Sequence, residues 1–153
     1  MVLNELCQTH EIPYWDLASD IDTTDARRFG GRILYSTDGE MCLFCQGLLE
    51  QDDIRQALAP ETERWEEALI YGIPVEALGT SGPSVVALNG IIASVAIMEF
   101  LVELVGIRPA FRHLVYDGSF GRLVLSQDLP DEDCYFCKGI RGLGAEFDLK
   151  RHL

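Results

Sequence analysis

The longest apolar stretch, Pro83 to Gly106 (PSVVALNGIIASVAIMEFLVELVG), sets the plan of the chain. Pro83 suits a first helical turn, where a missing N–H costs nothing, and Gly106 with Pro109 beyond it marks the stop. Between them Val85, Val86, Leu88, Ile91, Ile92, Val95, Ile97, Met98, Phe100, Leu101, Val102, Leu104 and Val105 leave hardly a polar face. In a soluble protein a helix that is apolar all round is buried on all sides, and this length also suits a bilayer. Asn89, Ser94, Glu99 and Glu103 interrupt the run, and the two glutamates share one face at i, i+4, where ionised carboxylates are costly in lipid. The pattern therefore predicts a central core helix and no membrane span. Ala87, Gly90 and Ser94 make a ridge of small residues that another backbone can approach closely.

Before this helix, Met1 to His10 reads as a helix with no capping residue ahead of Val2. Ile12 to Ala18 reads as a short strand, Ser19 to Arg28 as a polar loop and Gly31 to Ser36 as a second strand. Thr37-Asp38-Gly39-Glu40 carries an Asp-Gly turn signal. Gln51 to Leu58 and Pro60 to Tyr71 are helical in pattern, and Gly72 to Gly82 is punctuated like an irregular crossover into the central helix. Beyond it, Arg112 to Asp117 and Arg122 to Leu125 alternate as strands, joined by a hairpin at Gly118-Ser119-Phe120-Gly121. The expected organisation is one α/β domain over 1–153. Residues 1–41 supply a helix and strands, and 42–82 a cysteine knuckle and the crossover. Residues 83–137 supply the central helix, hairpin and second knuckle, and 138–153 a loosely held tail.

Composition narrows the possibilities. With 153 residues, 48% hydrophobic and 24% charged, the chain can bury a real core. A net charge of −13 with no Lys/Arg cluster argues against non-specific nucleic-acid binding, because nothing replaces the phosphate counterions. Met1 is followed by Val-Leu-Asn-Glu with no basic or apolar leader region, so no secretory signal and a cytoplasmic setting are expected. Five cysteines, four of them in Cys-x-x-Cys pairs, fit metal binding in a reducing compartment better than a disulfide framework.

Those pairs, Cys42-Leu43-Phe44-Cys45 and Cys134-Tyr135-Phe136-Cys137, carry the strongest chemical signal. A two-residue spacer lets both thiolates of a knuckle face one cation, and two knuckles complete a closed four-thiolate site. Four soft thiolates with no open position suit structural Zn2+, or an iron site. The long separation from Cys45 to Cys134 means that the fold must bring the knuckles together. Redox Cys-x-x-Cys chemistry fits less well, since that motif opens a helix after a strand and occurs once. Cys7 falls on the apolar face of the first helix and reads as packing. His10, His113 and His152 are scattered, with no Ser or Cys partner readable from sequence. Asp16, Asp20, Asp22 and Asp25 lack the central Gly and closing Glu of a calcium loop. Neither a G-x-G-x-x-G nor a P-loop motif is present.

Taken in order, Leu3-Asn4 and Cys7, Ile12-Pro13, Gly31-Arg32-Ile33-Leu34, Asp38-Gly39-Glu40, the first knuckle, Pro83-Ser84-Val85-Val86-Ala87-Leu88-Asn89-Gly90 and the second knuckle form one pattern. From about Leu3 to Cys137 it resembles the C-terminal half of the ThiF/MoeB/HesA family, bacterial relatives of ubiquitin-activating (E1) enzymes. The resemblance implies a partial Rossmann-like domain with a mixed sheet, a central buried helix and a structural zinc held by Cys42, Cys45, Cys134 and Cys137. It implies adenylation, with ATP and Mg2+, of the C-terminal glycine of a ubiquitin-like or sulfur-carrier protein ending in Gly-Gly, and a dimer. Gly72 to Gly82 corresponds to the crossover over the carrier's tail. The family's ATP-binding half has no counterpart here and is expected upstream of Met1, so this chain alone is expected to be inactive. No Cys lies between Gln46 and Pro83, so adenylation without a crossover thioester is expected. The rival expectation is a non-catalytic, zinc-stabilised module for protein binding or dimerisation.

Overall fold

The computed structural model describes residues 1–21, 28–49 and 86–152. Helix α1 (Val2–Thr9) leads into strands β1 (Tyr14–Ile21) and β2 (Phe29–Ser36). Helix α2 (Val86–Leu104) precedes β3 (His113–Asp117) and β4 (Arg122–Leu125). The helices expected at Gln51–Leu58 and Pro60–Tyr71, the Gly72–Gly82 crossover and the Pro83 start lie outside the described residues.

The four strands form one sheet in the order β1-β2-β3-β4, antiparallel at every pairing. The α/β class holds, but the expected mixed sheet is not seen: among the described residues no strand pair is parallel. The sheet register fixes two faces. Trp15, Leu17 and Ser19 pair with Tyr35, Ile33 and Gly31, and Gly31 and Ile33 pair in turn with Tyr116 and Leu114. These residues share the face on which α2 lies, over β1 and β2.

The core there is Ile33, Ile92, Ala96 and Leu114, with Trp15, Val95 and Tyr116 at its margin. Gly31 makes the seat: a Cβ on it would stand 2.5 Å from the Ala18 carbonyl oxygen and 2.7 Å from Ile92. Trp15 stacks on Tyr35 at 4.2 Å and meets Phe100 of α2 edge-on at 6.5 Å.

The central helix differs from expectation. It buries Leu88, Ile92, Ala96 and Glu99, a single stripe, while Ile97, Met98, Leu101 and Leu104 stay exposed. Its sheet covers one side only, so all-round apolarity is not matched by all-round burial among the described residues. By length and composition it is also long and apolar enough to cross a membrane. Its end follows the sequence signal. Gly106 has φ +70, its N–H reaches Glu103 O at 3.1 Å, and Ile107 N–H reaches Val102 O at 3.1 Å. That is a Schellman cap.

The two glutamates organise the turn into β3. Glu99 accepts from both Arg108 Nη atoms, at 2.7 and 2.9 Å, and from Phe111 N–H at 3.1 Å. Glu103 accepts Ala110 N–H at 2.5 Å. The Arg108 hydrogen bonds, helped by Phe111 N–H and opposed by burial, hold the Glu99 carboxyl below its ordinary value of 4.5. A carboxyl depressed in the folded state adds stability above its unfolded pKa and loses it as pH falls through the folded value. Glu99→Gln should therefore cost about 1–2 kcal/mol at pH 7 and flatten the fall in stability below about pH 4.5, read by urea unfolding across pH.

The tail also differs from the loose segment expected. Gly142 N–H bonds to Gln8 O at 3.2 Å, Arg141 pairs with Glu11 at 3.1 Å, and His10 meets Phe147 edge-on. Residues 139–147 pack on α1 because their glycines permit it: a Cβ on Gly144 would lie 2.8 Å from the His10 ring.

Candidate metal centre

The turn after β2 builds the first knuckle. Asp38 (φ +48) and Gly39 (φ +72) reverse the chain, as the Asp-Gly signal predicts. Cys42 to Leu48 then wind tightly, with Gln46 N–H to Cys42 O at 3.2 Å and Leu48 N–H to Leu43 O at 2.9 Å. Cys42 N–H donates to Cys45 Sγ at 3.1 Å. The second knuckle is a wide helical turn, Tyr135–Gly139, entered from Cys134, whose carbonyl accepts Lys138 N–H at 2.9 Å.

Three elements press the knuckles together. Asn4 Oδ1 of α1 accepts Leu43 N–H at 3.1 Å, deep in the interior. Gln8 donates to Ser36 Oγ at 2.6 Å, and Ser36 donates onward to Met41 O. Gly39 lies against Cys137 O and the Arg141 side chain, so a Cβ there would collide with both. Phe44 meets Phe136 edge-on at 5.1 Å, and Cys42, Cys134, Phe136, Cys137 and Ile140 form a core of their own.

The four sulfur atoms of Cys42, Cys45, Cys134 and Cys137 lie within 4.8 Å of one another. Cys42 Sγ and Cys134 Sγ are 3.7 Å apart. A disulfide spans about 2.05 Å, so this pair is not bonded. A tetrahedron of sulfurs around a metal at about 2.3 Å has edges near 3.8 Å, and the observed separation fits it. The arrangement fits one metal ion, with no position open for substrate. Cys7 is buried in α1, where burial pushes its thiol up, and stands outside the cluster.

Hydrogen bonds from Cys137 and then Cys42 pull the Cys45 thiol far down. Hydrogen bonds to Cys42 and Cys45 and burial push Cys137 up. A divalent ion that binds takes thiolates and so displaces the thiol protons. Metal affinity therefore falls as pH falls.

A second feature lies on the sheet face opposite α2. A trough of about 680 Å3 runs over Ala18, Gly30 and Val115, with Arg28, Arg32 and His113 among its walls and Phe29 and Phe120 at one end. Arg32 pairs with Asp16 at 3.2 Å, and His113 Nδ1 lies 3.1 Å from Gln46 Oε1. Burial lowers the His113 pKa, opposed by Asp128 and reinforced by Arg32. Of the residues lining it, Arg32 keeps one buried donor, Nε, with no acceptor among the described residues. Sequence reasoning did not single out this site. Arg32 and His113 are far apart in the chain, and only the β2–β3 register unites them.

No family model matches the sequence, and no curated protein matches it. What the protein does must therefore be argued from the four-cysteine cluster and the trough.

Proposed function

We propose that this chain is the zinc-clipped, carrier-binding portion of an E1-like adenylating enzyme of the ThiF/MoeB/HesA type. In this reading Cys42, Cys45, Cys134 and Cys137 hold a structural Zn2+, because a closed set of four thiolates suits that ion. ATP and Mg2+ are bound by residues outside this chain, in a Rossmann-like half. The partner is a ubiquitin-like or sulfur-carrier protein whose Gly-Gly tail lies in the trough, and the setting is cytoplasmic.

The observation that carries the reading is the trough with the unsatisfied Arg32 Nε in its wall. An extended tail brings a carbonyl at every residue, and its terminal carboxylate suits Arg28 or Arg32. The low floor at Ala18 and Gly30 suits a tail without side chains. The zinc has a mechanical part: it ties the segment leaving β2 to the segment following β4, and so fixes both ends of the trough's surroundings.

Fluorescence anisotropy with labelled peptides tests this. A peptide ending in a free Gly-Gly carboxylate should bind, and amidation or Arg32→Ala should weaken it at least about 10-fold. Equal binding of acid and amide would contradict the reading. This chain alone should give no ATP–pyrophosphate exchange, since phosphoryl chemistry needs positioned cations. The rival reading, a non-catalytic protein-binding or dimerisation module, draws support from the exposed apolar side of α2.

A further inference from the structure

Segments from both cysteine knuckles converge on His113. This residue opens β3, is buried, and pairs with Leu34 of β2. From the first knuckle, Gln46 Oε1 comes to 3.1 Å from His113 Nδ1. From the segment that leads to the second knuckle, Ser126 N–H donates to the His113 carbonyl at 2.9 Å. Asp128, which accepts from Ser126 Oγ at 2.6 Å, bears on the ring through its charge, with Arg32 acting in the opposite sense. A metal at the four cysteines therefore ties down the chain on both sides of this histidine.

Gln46 has little freedom of its own. It follows Cys45 directly, and its N–H closes the knuckle turn on the Cys42 carbonyl at 3.2 Å. Leu48 N–H returns to Leu43 O at 2.9 Å, and both leucines pack with Leu34, on the sheet face that bears His113. An ion held by Cys42 and Cys45 fixes the turn, the turn fixes Gln46, and Gln46 fixes the imidazole. His113 and Leu48 both line the trough, so the wall they make inherits this order.

The contact also sets where the ring proton sits. A carboxamide oxygen only accepts, so Nδ1 must carry the proton and Nε2 keeps its lone pair. We propose that Gln46 is a positioning residue that carries metal occupancy of the four-cysteine centre to the trough, by holding His113 as its Nδ1–H tautomer. The inference rests on the structural-metal part of the reading above and is independent of which ligand the trough takes. A Gln46 that merely filled space would be replaced equally well by an apolar side chain of its size.

Nitrogen NMR of the imidazoles in the full-length, zinc-loaded chain tests this. At about pH 8 the ring is neutral, since burial lowers the His113 pKa from 6.5. The signal lost in His113→Asn tells this ring from His10 and His152. The parent should carry its proton on Nδ1. Gln46→Glu keeps an accepting oxygen and should keep that tautomer. Gln46→Leu should lose it, while still holding one zinc per chain by plasma mass spectrometry. Chelation of the parent should give the same loss. Coupling between two sites is reciprocal, so Gln46→Leu should also bind zinc about 5-fold more weakly against a competing chelator, the worth of one buried hydrogen bond. If Gln46→Leu disturbs the circular dichroism spectrum, Gln46→Met takes its place with the same readouts. An Nε2–H tautomer in the loaded parent would mean that the carboxamide is turned the other way, and would overturn the proposal. A His113 signal indifferent to Gln46→Leu or to chelation, or an unchanged zinc affinity, would overturn it equally. Protein that takes up no zinc would sink the metal reading with it, whereas loaded protein with an unresponsive His113 would sink this inference alone.

Discussion

Stripping the metal should melt one end of this protein and leave the other folded. The cysteine end has its own core of Cys42, Cys134, Phe136, Cys137 and Ile140, distinct from the core of Ile33, Ile92, Ala96 and Leu114 under α2. Structural zinc sites contribute on the order of 10 kcal/mol or more, comparable with the whole stability of an ordinary domain. That contribution acts on segments with little else to hold them: two tight turns, one eight-residue helix and the tail packed on it. Chelation, or Cys137→Ser, should therefore abolish amide protection in α1, in residues 37–49 and in 131–143. Protection at Trp15 and along the inner stripe of α2 should persist. Even a partial loss of about 3–5 kcal/mol would lower Tm by on the order of 10 °C. Hydrogen exchange followed by mass spectrometry reads both ends at once. Unchanged protection around the knuckles after chelation would mean that packing alone holds them.

The second large effect is expected at Gly31. Its pro-side-chain position is filled by Ile92 of α2 on one side and closed by the Ala18 carbonyl on the other. A methyl group there meets a backbone atom that cannot rotate away, so either β1 shifts or α2 lifts. Gly31→Ala should cost about 3 kcal/mol, the upper end for overpacking a core, and weaken the Trp15–Phe100 contact as α2 lifts. Urea unfolding measures the first and near-ultraviolet circular dichroism the second. A variant as stable as the parent would show that the helix does not sit against this strand.

Local chemistry made parts of this architecture legible. The Asp38-Gly39 turn, the Gly118–Gly121 hairpin and the Gly106 cap each follow from backbone conformations that glycine alone adopts cheaply. The cysteine spacing named all four clustered thiols, because the two-residue spacer is itself a geometric requirement.

Other features depend on long-range placement. β1 runs on through Ser19, Asp20 and Ile21, which read as loop. Among the described residues β1 has no partner on its outer side, so polar residues survive there and erase the apolar alternation. The tail reads as loose by composition, yet Gly142 and Gly144 allow it to close on α1. The hydrophobicity of α2 announces burial but not by what, since a sequence does not state which of its surfaces meet within one copy. The trough joins Arg32 and His113 through sheet register, which leaves no local motif.

The central claim is that four cysteines from two distant knuckles hold one metal ion that clips the fold together. Metal content by plasma mass spectrometry, on protein purified without chelators and alongside alkylation of its thiols, tests it most directly. The account predicts one zinc per chain and four thiols, Cys42, Cys45, Cys134 and Cys137, protected until the metal is removed. Metal-free protein, folded and with those four thiols freely alkylated, would contradict it.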